Sequence, residues 1–210
     1  MNRFGALFDL DGVLIDSETI YTEFWRDIDR LYPTGVDNFA IAIKGTTLAS
    51  ISQYFPDPVI WEDIKSRLRE FQDKMSFPVY PGVIEFLESL EEAGFRMAVV
   101  TSSDPTKMER LWASVPELRR FFGEVIDGRK VERSKPDPEG YLKAAAAIGC
   151  KPEDCFVFED SLQGLRAGRA SGATVIGVAT TYSAAEVSPL SDRVVSAIAE
   201  LTPAELMAMK

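Results

Sequence analysis

Short apolar runs alternate with amphipathic stretches along the chain, and these two patterns predict strands and helices respectively. The first run, residues 4–8, carries no charged or polar side chain. A strand that is apolar at every position is typical of a parallel sheet with both faces covered. In residues 18–31, apolar side chains such as Phe24 and Ile28 recur at helical spacing and Pro33 follows, which predicts a helix that ends before the proline.

Helical patterns continue after this helix, and no strand pattern interrupts them. The sequence predicts a short helix over residues 47–54 and a longer amphipathic helix over residues 59–75. We therefore predict a small helical domain, the cap, at residues 17–79. It is inserted into a core domain formed by residues 1–16 and 80–210.

The remainder of the chain alternates strand and helix patterns, which is typical of a parallel sheet with helices on both faces. The predicted strands are 96–100, 125–126, 155–158 and 174–178, and the predicted helices are 83–92, 105–113, 138–148, 161–171 and 203–209. The predicted fold class is α/β: a doubly wound parallel sheet with an inserted α-helical cap.

Two local signals in the core refine this prediction. Asp104 directly precedes a proline at the start of a predicted helix, where it is expected to cap the free backbone N–H groups. Gly164, Gly168 and Gly172 recur every fourth residue in another helix. Each costs about 1 kcal/mol relative to alanine inside a helix, so we expect the three to form a flat face against the sheet.

Two aspartates stand directly at the end of the first strand. Asp9 and Asp11 are two residues apart, so in extended geometry they point to the same side. Two carboxylates about 4 Å apart repel by about 4 kcal/mol at an effective dielectric near 20, which indicates a compensating cation, most simply a divalent metal. A solvated turn would also explain the pattern. A calcium loop of the EF-hand kind would not, because Gly12 follows the second aspartate directly.

Other predicted strand ends also carry polar side chains. Thr101 and Ser102 follow the second strand, Glu159 and Asp160 follow a later strand, and Lys135 precedes a helix. Loops at the carboxyl ends of parallel strands converge on one ligand site. Taken one by one, each residue could be a cap, a turn or a solvated charge. Together they predict a site for a hard cation and a phosphate group.

Composition narrows the function further. The chain has 210 residues and a formal net charge of −10, which disfavours nucleic acid as a partner. It contains no histidine, which removes serine–histidine relays and most zinc sites. Cys150 and Cys155 do not form a disulfide framework, and no apolar run is long enough to cross a membrane. We expect a cytoplasmic protein with no membrane partner, either a monomer or a weak homodimer.

In its motifs the sequence resembles the haloacid dehalogenase superfamily, specifically the β-phosphoglucomutase-like phosphatase branch with a helical cap. The resemblance covers nearly the whole chain and rests on four motifs in order. They are Phe8-Asp-Leu-Asp-Gly-Val13, Val100-Thr-Ser-Ser103, Ser134-Lys-Pro136 and Phe158-Glu-Asp-Ser-Leu-Gln-Gly164.

The resemblance implies a catalytic role for each motif. Asp9 would be the nucleophile that becomes an aspartyl phosphate, and Asp11 the general acid and base. Thr101, Ser102 and Lys135 would bind the transferring phosphoryl group.

A magnesium ion is implied as well. Its ligands would be Asp9, the main-chain carbonyl of Asp11, and Asp160, with Glu159 contributing directly or through water. The dehalogenases that name the superfamily lack this second acid and metal, so these acids favour phosphoryl transfer.

The substrate implied is a small phosphorylated metabolite, and the leading interpretation is a phosphatase. A phosphosugar mutase is the alternative, because the cap loop resembles a mutase specificity loop and contains Lys44, Gly45, Thr46 and Thr47. Leu48 stands where a mutase is expected to carry an arginine, and Asp104 where it carries a lysine. Both differences favour hydrolysis.

Two further classes of protein compete with this interpretation. A phospho-receiver signalling domain uses similar groups, but its acid pair is contiguous and its phosphorylated aspartate lies on a later strand. A non-catalytic binding module is the other class, and the complete set of motif residues argues against it.

Overall fold

A computed structural model of the protein describes residues 4–74 and 76–210, apart from the side chains of residues 18 and 19. In this part of the chain one sheet is formed by β1 (Gly5–Phe8), β2 (Arg96–Val100), β3 (Glu124–Ile126), β4 (Cys155–Glu159), β5 (Thr174–Val178) and β6 (Arg193–Val195). The strand order is β3-β2-β1-β4-β5-β6, and all neighbours are parallel. This is the order of a doubly wound sheet, and it confirms the predicted fold class.

Helices follow nearly every strand. Before β2 lie α1 (Glu18–Leu31), α2 (Phe39–Ala42), α3 (Leu48–Ile51), α4 (Pro58–Lys74) and α5 (Val83–Glu92). After β2 come α6 (Pro105–Ser114), α7 (Pro116–Arg119), α8 (Glu139–Ala147), α9 (Leu162–Ser171), α10 (Ala184–Val187) and α11 (Pro203–Met207). Short 3-10 turns cover Ser52–Tyr54, Pro152–Asp154, Ser188–Leu190 and Ile198–Glu200. Among the helices described, none combines the length and apolar character that a membrane span requires.

Alternate side chains of β1 enter two hydrophobic clusters, one on each face of the sheet. Ala6 and Phe8 pack with residues of α5, α6, α7 and α11, whereas Leu7 packs with residues of α8, α9 and α10. The ring of Phe8 stacks on Phe158 with centroids 4.5 Å apart. Burial on both sides explains why the strand is apolar at every position.

The helices α1 to α4 enclose a third hydrophobic cluster of their own. Its buried members are Trp25, Ile28, Phe39, Ala40, Ile43, Ile51, Phe55 and Ile64. The chain enters and leaves these helices side by side, because Asp16 N donates to Pro78 O and Tyr80 N to Leu14 O. These helices therefore enclose a hydrophobic core of their own. The bounds of the cap, residues 17–79, stay a prediction.

Several local details depart from the sequence-based expectations. The stretch predicted as one helix over residues 47–54 is α3 followed by a 3-10 turn, and α2, α7, α10 and β6 were not predicted. The predicted end of the helix at Met75 lies outside the described residues. Gly172 does not pack on the sheet as expected: it ends α9 with a φ of 85° and has open space around it.

Candidate active site

Asp9, at the end of β1, is paired with a buried lysine. Lys135 Nζ donates to Asp9 Oδ1 at 2.5 Å and to Val100 O at 3.2 Å. Lys135 is also 2.5 Å from a second carboxylate, Glu159 Oε1. Burial alone would lower the pKa of Lys135, but these two carboxylates outweigh it and the pKa is raised. The lysine therefore remains protonated.

The pKa of Asp9 is raised, although an ion pair ordinarily lowers the pKa of a carboxyl group. Burial raises it to about 8, because Lys135 offsets only part of the desolvation and Glu159 adds further repulsion. One ammonium group thus serves more than one carboxylate. The cluster has an excess of negative charge that a further cation would balance.

Glu159 is a fully buried carboxylate that organises its surroundings. Its Oε1 accepts from Lys135 and from Tyr141 OH at 2.9 Å. Its Oε2 accepts from Asp160 N at 3.0 Å and from the backbone N and hydroxyl of Ser161 at 2.9 and 3.0 Å. Both oxygens are therefore occupied by protein donors, and the side chain fixes the position of Lys135.

Asp160 completes an acidic cluster beside Asp9. Carboxylate oxygens of Asp9, Glu159 and Asp160 lie within 4.8 Å of one another. The turn after β1 makes room for Asp160: a Cβ at Gly12 would be 2.0 Å from Asp160 Oδ2, and Gly12 has a φ of 79°. Clustered buried carboxylates with excess negative charge fit a hard divalent cation such as Mg²⁺.

Asp11 points to a different set of donors. Its Oδ1 accepts from Ser17 Oγ and Lys107 Nζ, and its Oδ2 accepts from Ser103 Oγ at 2.9 Å. Burial would raise the pKa of Asp11, but the charge and hydrogen bond of Lys107 and the two hydroxyls hold it below its usual value. These contacts therefore favour the carboxylate form of Asp11.

The hydroxyl residues after β2 lie beside these acids. Thr101 is buried, and its Oγ1 accepts from Ser103 N at 3.1 Å. Ser102 Oγ donates to Gly45 O at 2.8 Å, which connects this loop to the cap. Both Thr101 and Ser102 line the same cavity as Asp9. Their role in binding a phosphoryl group stays a prediction.

The cap loop closes over the strand ends. Lys44, Gly45 and Thr46 line the cavity. Gly45 has a φ of 77°, and a Cβ there would be 2.7 Å from Ser161 Oγ, so the loop packs tightly on the core. Thr47 lies behind these residues, where its hydroxyl caps α3 by accepting from Ser50 N at 3.2 Å.

The cavity between cap and strand ends has an empty volume of about 810 Å³, including its opening to solvent. Its floor is polar and contains Asp9, Asp11 and Asp160. Its roof, formed by the cap, combines the apolar side chains of Trp25, Ala40, Ile43, Leu48, Ile51 and Leu68 with the polar ones of Tyr21, Thr22, Lys44, Thr46 and Gln72. Such a site suits a ligand with one charged end and a compact, uncharged body.

The sequence analysis assigned no role to Tyr21, Gln72 and Lys107, which also line this cavity. Lys107 contacts Asp11, while Gln72 Nε2 donates to Tyr21 OH at 3.2 Å and to Asp104 Oδ2 at 2.8 Å. The burial of Lys107, although not its contact with Asp11, could have been predicted from its spacing, because it stands one helical turn before Leu111 on the buried face of α6. Gln72 has no comparable sequence signal.

Comparison with known proteins gives a family, two curated relatives and a solved structure. Residues 5–172 match the model of the haloacid dehalogenase-like hydrolases. Hexitol phosphatase A of Escherichia coli is 30% identical over 181 residues, 83% of this chain and 82% of that protein. A β-phosphoglucomutase of Mycobacterium tuberculosis is 30% identical over 239 residues, 93% of this chain and 90% of that protein. The solved β-phosphoglucomutase of Clostridium difficile has a similar fold, with a TM-score of 0.81 at 19% identity, covering 98% of this chain and 96% of that one.

Proposed function

Because the chain belongs to the haloacid dehalogenase-like hydrolase family, we propose that it is a Mg²⁺-dependent phosphatase that hydrolyses a small phosphomonoester. The observation that carries the proposal is the cavity itself. Asp9, Asp11, Thr101 and Asp160 line its floor, and Lys135 is bonded to Asp9. The cap side of the cavity combines apolar side chains with polar ones such as Tyr21, Thr46 and Gln72, which suits the uncharged, hydroxyl-bearing body of a sugar, polyol or similar phosphate.

The metal would be bound by Asp9, Asp160 and the main-chain carbonyl of Asp11. Glu159 would contribute through water, because protein donors already occupy both of its oxygens. When bound, Mg²⁺ supplies positive charge that neutralises phosphate oxygens during transfer. Lys135 supplies the same kind of charge from the protein side.

In the first step Asp9 forms a covalent intermediate. An oxygen of the Asp9 carboxylate attacks phosphorus as the bond from phosphorus to the ester oxygen breaks, which gives an aspartyl phosphate. Asp11, in its protonated form, gives its proton to the departing alkoxide, so the product is a neutral alcohol. Lys135 and the hydroxyl of Thr101 hold the phosphoryl group in line.

The second step regenerates the enzyme. Asp11, now a carboxylate, takes a proton from a water molecule as the water oxygen attacks phosphorus. The bond between phosphorus and Asp9 breaks, and inorganic phosphate leaves with Asp9 again ionised. This step leaves Asp11 protonated, so the proton taken from water is the one that Asp11 gives to the alkoxide of the next substrate molecule.

A phosphosugar mutase is the second candidate, because a β-phosphoglucomutase is among the relatives at 30% identity. A mutase must hold the second phosphate of a bisphosphate, which requires cations at the cavity rim. Leu48 places an apolar side chain in the cavity where a mutase is expected to carry an arginine, and the Asp104 carboxylate caps α6 and accepts from Gln72. These contacts favour hydrolysis.

Replacement of the nucleophile tests the phosphatase. With Mg²⁺ present, the wild-type protein is expected to release phosphate from at least one member of a panel of phosphorylated sugars, polyols, nucleotides and pyrophosphate. Asp9→Asn should lower that rate by at least about 10³-fold, because the nucleophile has no substitute. If the variant kept more than a few per cent of the activity, Asp9 would not be the nucleophile.

A separate assay distinguishes hydrolase from mutase. The protein is incubated with β-glucose 1-phosphate and a trace of the bisphosphate, and glucose 6-phosphate and free phosphate are followed together. We expect phosphate release to be at least as fast as isomerisation. Isomerisation much faster than phosphate release would identify a mutase.

A further inference from the structure

We propose that Lys107 is a positioning residue for the Asp11 carboxylate. The proposal rests on the function proposed above, in which Asp11 transfers the proton to and from the reacting oxygen. None of the four sequence motifs contains Lys107, which lies in the first turn of α6.

The contacts of Asp11 fix both of its oxygens. Lys107 Nζ and Ser17 Oγ donate to Oδ1, and Ser103 Oγ donates to Oδ2. Of these donors only Lys107 carries a charge. Hydrogen bonds to a charged donor are about twice as strong as those between neutral groups, so the lysine is the dominant restraint on the carboxylate.

Lys107 is itself held in place from both sides. The residue is only 3% exposed, and Nζ lies 4.2 Å from the centroid of the Tyr21 ring. Its backbone N donates to Asp104 Oδ1 at 3.2 Å, which anchors the start of α6. A lysine with its backbone capped and its ammonium over an aromatic face has little freedom to move.

The position of Lys107 argues for a functional role. Its neighbours on the buried face of α6 are Met108 and Leu111, and an apolar residue at 107 would bury its side chain without the desolvation cost of an ammonium group. The ammonium group instead lines the cavity next to the proposed acid. A misplacement of about 1 Å in such a group can cost about 10²-fold in rate.

The test compares two leaving groups in Lys107→Met. An alkyl phosphate needs proton donation by Asp11, whereas nitrophenyl phosphate has a leaving group that needs little. We expect kcat for the alkyl phosphate to fall by about 10- to 100-fold and kcat for nitrophenyl phosphate by less than about 3-fold, with little change in KM. Lys107→Arg should recover part of the loss. Lys65→Met, at a partly exposed position on α4, is the matched control.

A double-mutant cycle shows whether Lys107 acts through Asp11. In an Asp11→Asn background, Lys107→Met should cost no further activity toward the alkyl phosphate. Equal losses with both substrates, or full additivity with Asp11→Asn, would overturn the proposal. A rise in KM alone would instead make Lys107 a substrate-binding cation, which also overturns it. If Lys107→Met does not fold, Lys107→Arg is carried through the same comparison, because it keeps the charge but changes its geometry.

These outcomes are separable from failure of the proposed function. If the wild-type protein released no phosphate from any substrate, the phosphatase itself would be wrong. If wild type is active and Asp9→Asn inactive while Lys107→Met behaves as wild type, only the role of Lys107 is wrong.

Discussion

At the scale of single residues, each of the two aspartates after β1 has its own lysine. Lys135 pairs with Asp9 and Lys107 with Asp11. The repulsion expected from two neighbouring carboxylates is therefore balanced in part by side chains far away in the sequence. The remaining excess charge lies on the side of Asp9, where Glu159 and Asp160 join it. That is the side where Mg²⁺ would bind.

Binding of Mg²⁺ is expected to release a proton from Asp9. The raised pKa of about 8 means that Asp9 is largely protonated at pH 7 in the metal-free protein, whereas a metal ligand must be deprotonated. Release should therefore approach one proton per Mg²⁺ at pH 7 and fall toward zero by about pH 10. The apparent affinity for Mg²⁺ should rise with pH over the same range.

Calorimetry in buffers of different ionisation enthalpy measures this release. Asp9→Asn is the matched control, because its amide has no proton to give up in this range. Mg²⁺ binding at pH 7 without proton release would contradict the raised pKa of Asp9.

The sequence predicts the acids of the site better than their partners. Asp9, Asp11, Glu159 and Asp160 stand at strand ends, where an apolar run changes abruptly to charge. Lys107 does not follow an apolar strand in this way, and a lysine on a helix is usually solvated. Its role depends on the tertiary contacts of its ammonium group with Tyr21 and Asp11, which local spacing does not specify.

At the scale of elements, the packing of α9 on β4 connects stability to the site. A Cβ at Gly164 would lie 1.6 Å from Glu159 Oε1, and one at Gly168 would lie 2.9 Å from Val157 Cγ1. The expected flat face is thus real at these two glycines. Gly164 borders the buried carboxylate that holds Lys135, whereas Gly168 borders only aliphatic side chains.

Replacing each of these glycines with alanine should separate the effect of this packing on stability from its effect on catalysis. Gly168→Ala should lower the free energy of unfolding by about 1–3 kcal/mol through overpacking, with kcat unchanged while the protein is folded. Gly164→Ala should lower the free energy of unfolding by a similar amount. It should also lower kcat, because it displaces Glu159 and with it Lys135. Chemical denaturation and kinetic assays below the melting temperature measure both quantities. Equal kcat in the two variants would contradict the assigned role of Glu159.

Among the elements, long amphipathic helices were predictable and short pieces were not. The predicted bounds of α1 are correct because its apolar face is regular and Pro33 follows it. The edge strand β6 has three residues and begins with Arg193, too short for any alternation to be visible. Helix α2 has four residues, and its formation depends on packing within the cap.

At the scale of the whole molecule, the cap rests on the core through a few polar contacts. Ser50 Oγ lies 2.9 Å from Ser134 Oγ, directly before Lys135. Ser102 donates to Gly45 O, and Gln72 to Asp104. Contacts of this kind are individually weak, so the cap is expected to separate from the core when substrate enters and product leaves.

A reversible crosslink tests this motion. In a Ser50→Cys, Ser134→Cys double variant, a disulfide should form because the two hydroxyl oxygens are already 2.9 Å apart. The oxidised protein should turn over at least about 10-fold more slowly than its reduced form, and a reductant should restore the rate. Mass spectrometry verifies the crosslink, and each single variant is a control. Unchanged turnover in the verified crosslinked protein would show that exchange needs no separation of cap and core.

The separate hydrophobic cluster of the cap has an evolutionary consequence. Ile43 belongs to that cluster and also forms part of the cavity roof, whereas Asp9 follows a strand whose side chains pack in the clusters flanking the sheet. Residues of the roof can therefore be substituted without disturbing the strand ends. Sequence changes in the cap can therefore give a protein a new substrate while the residues that carry out the phosphate chemistry stay the same. Substrate selectivity and catalysis can thus evolve at different rates.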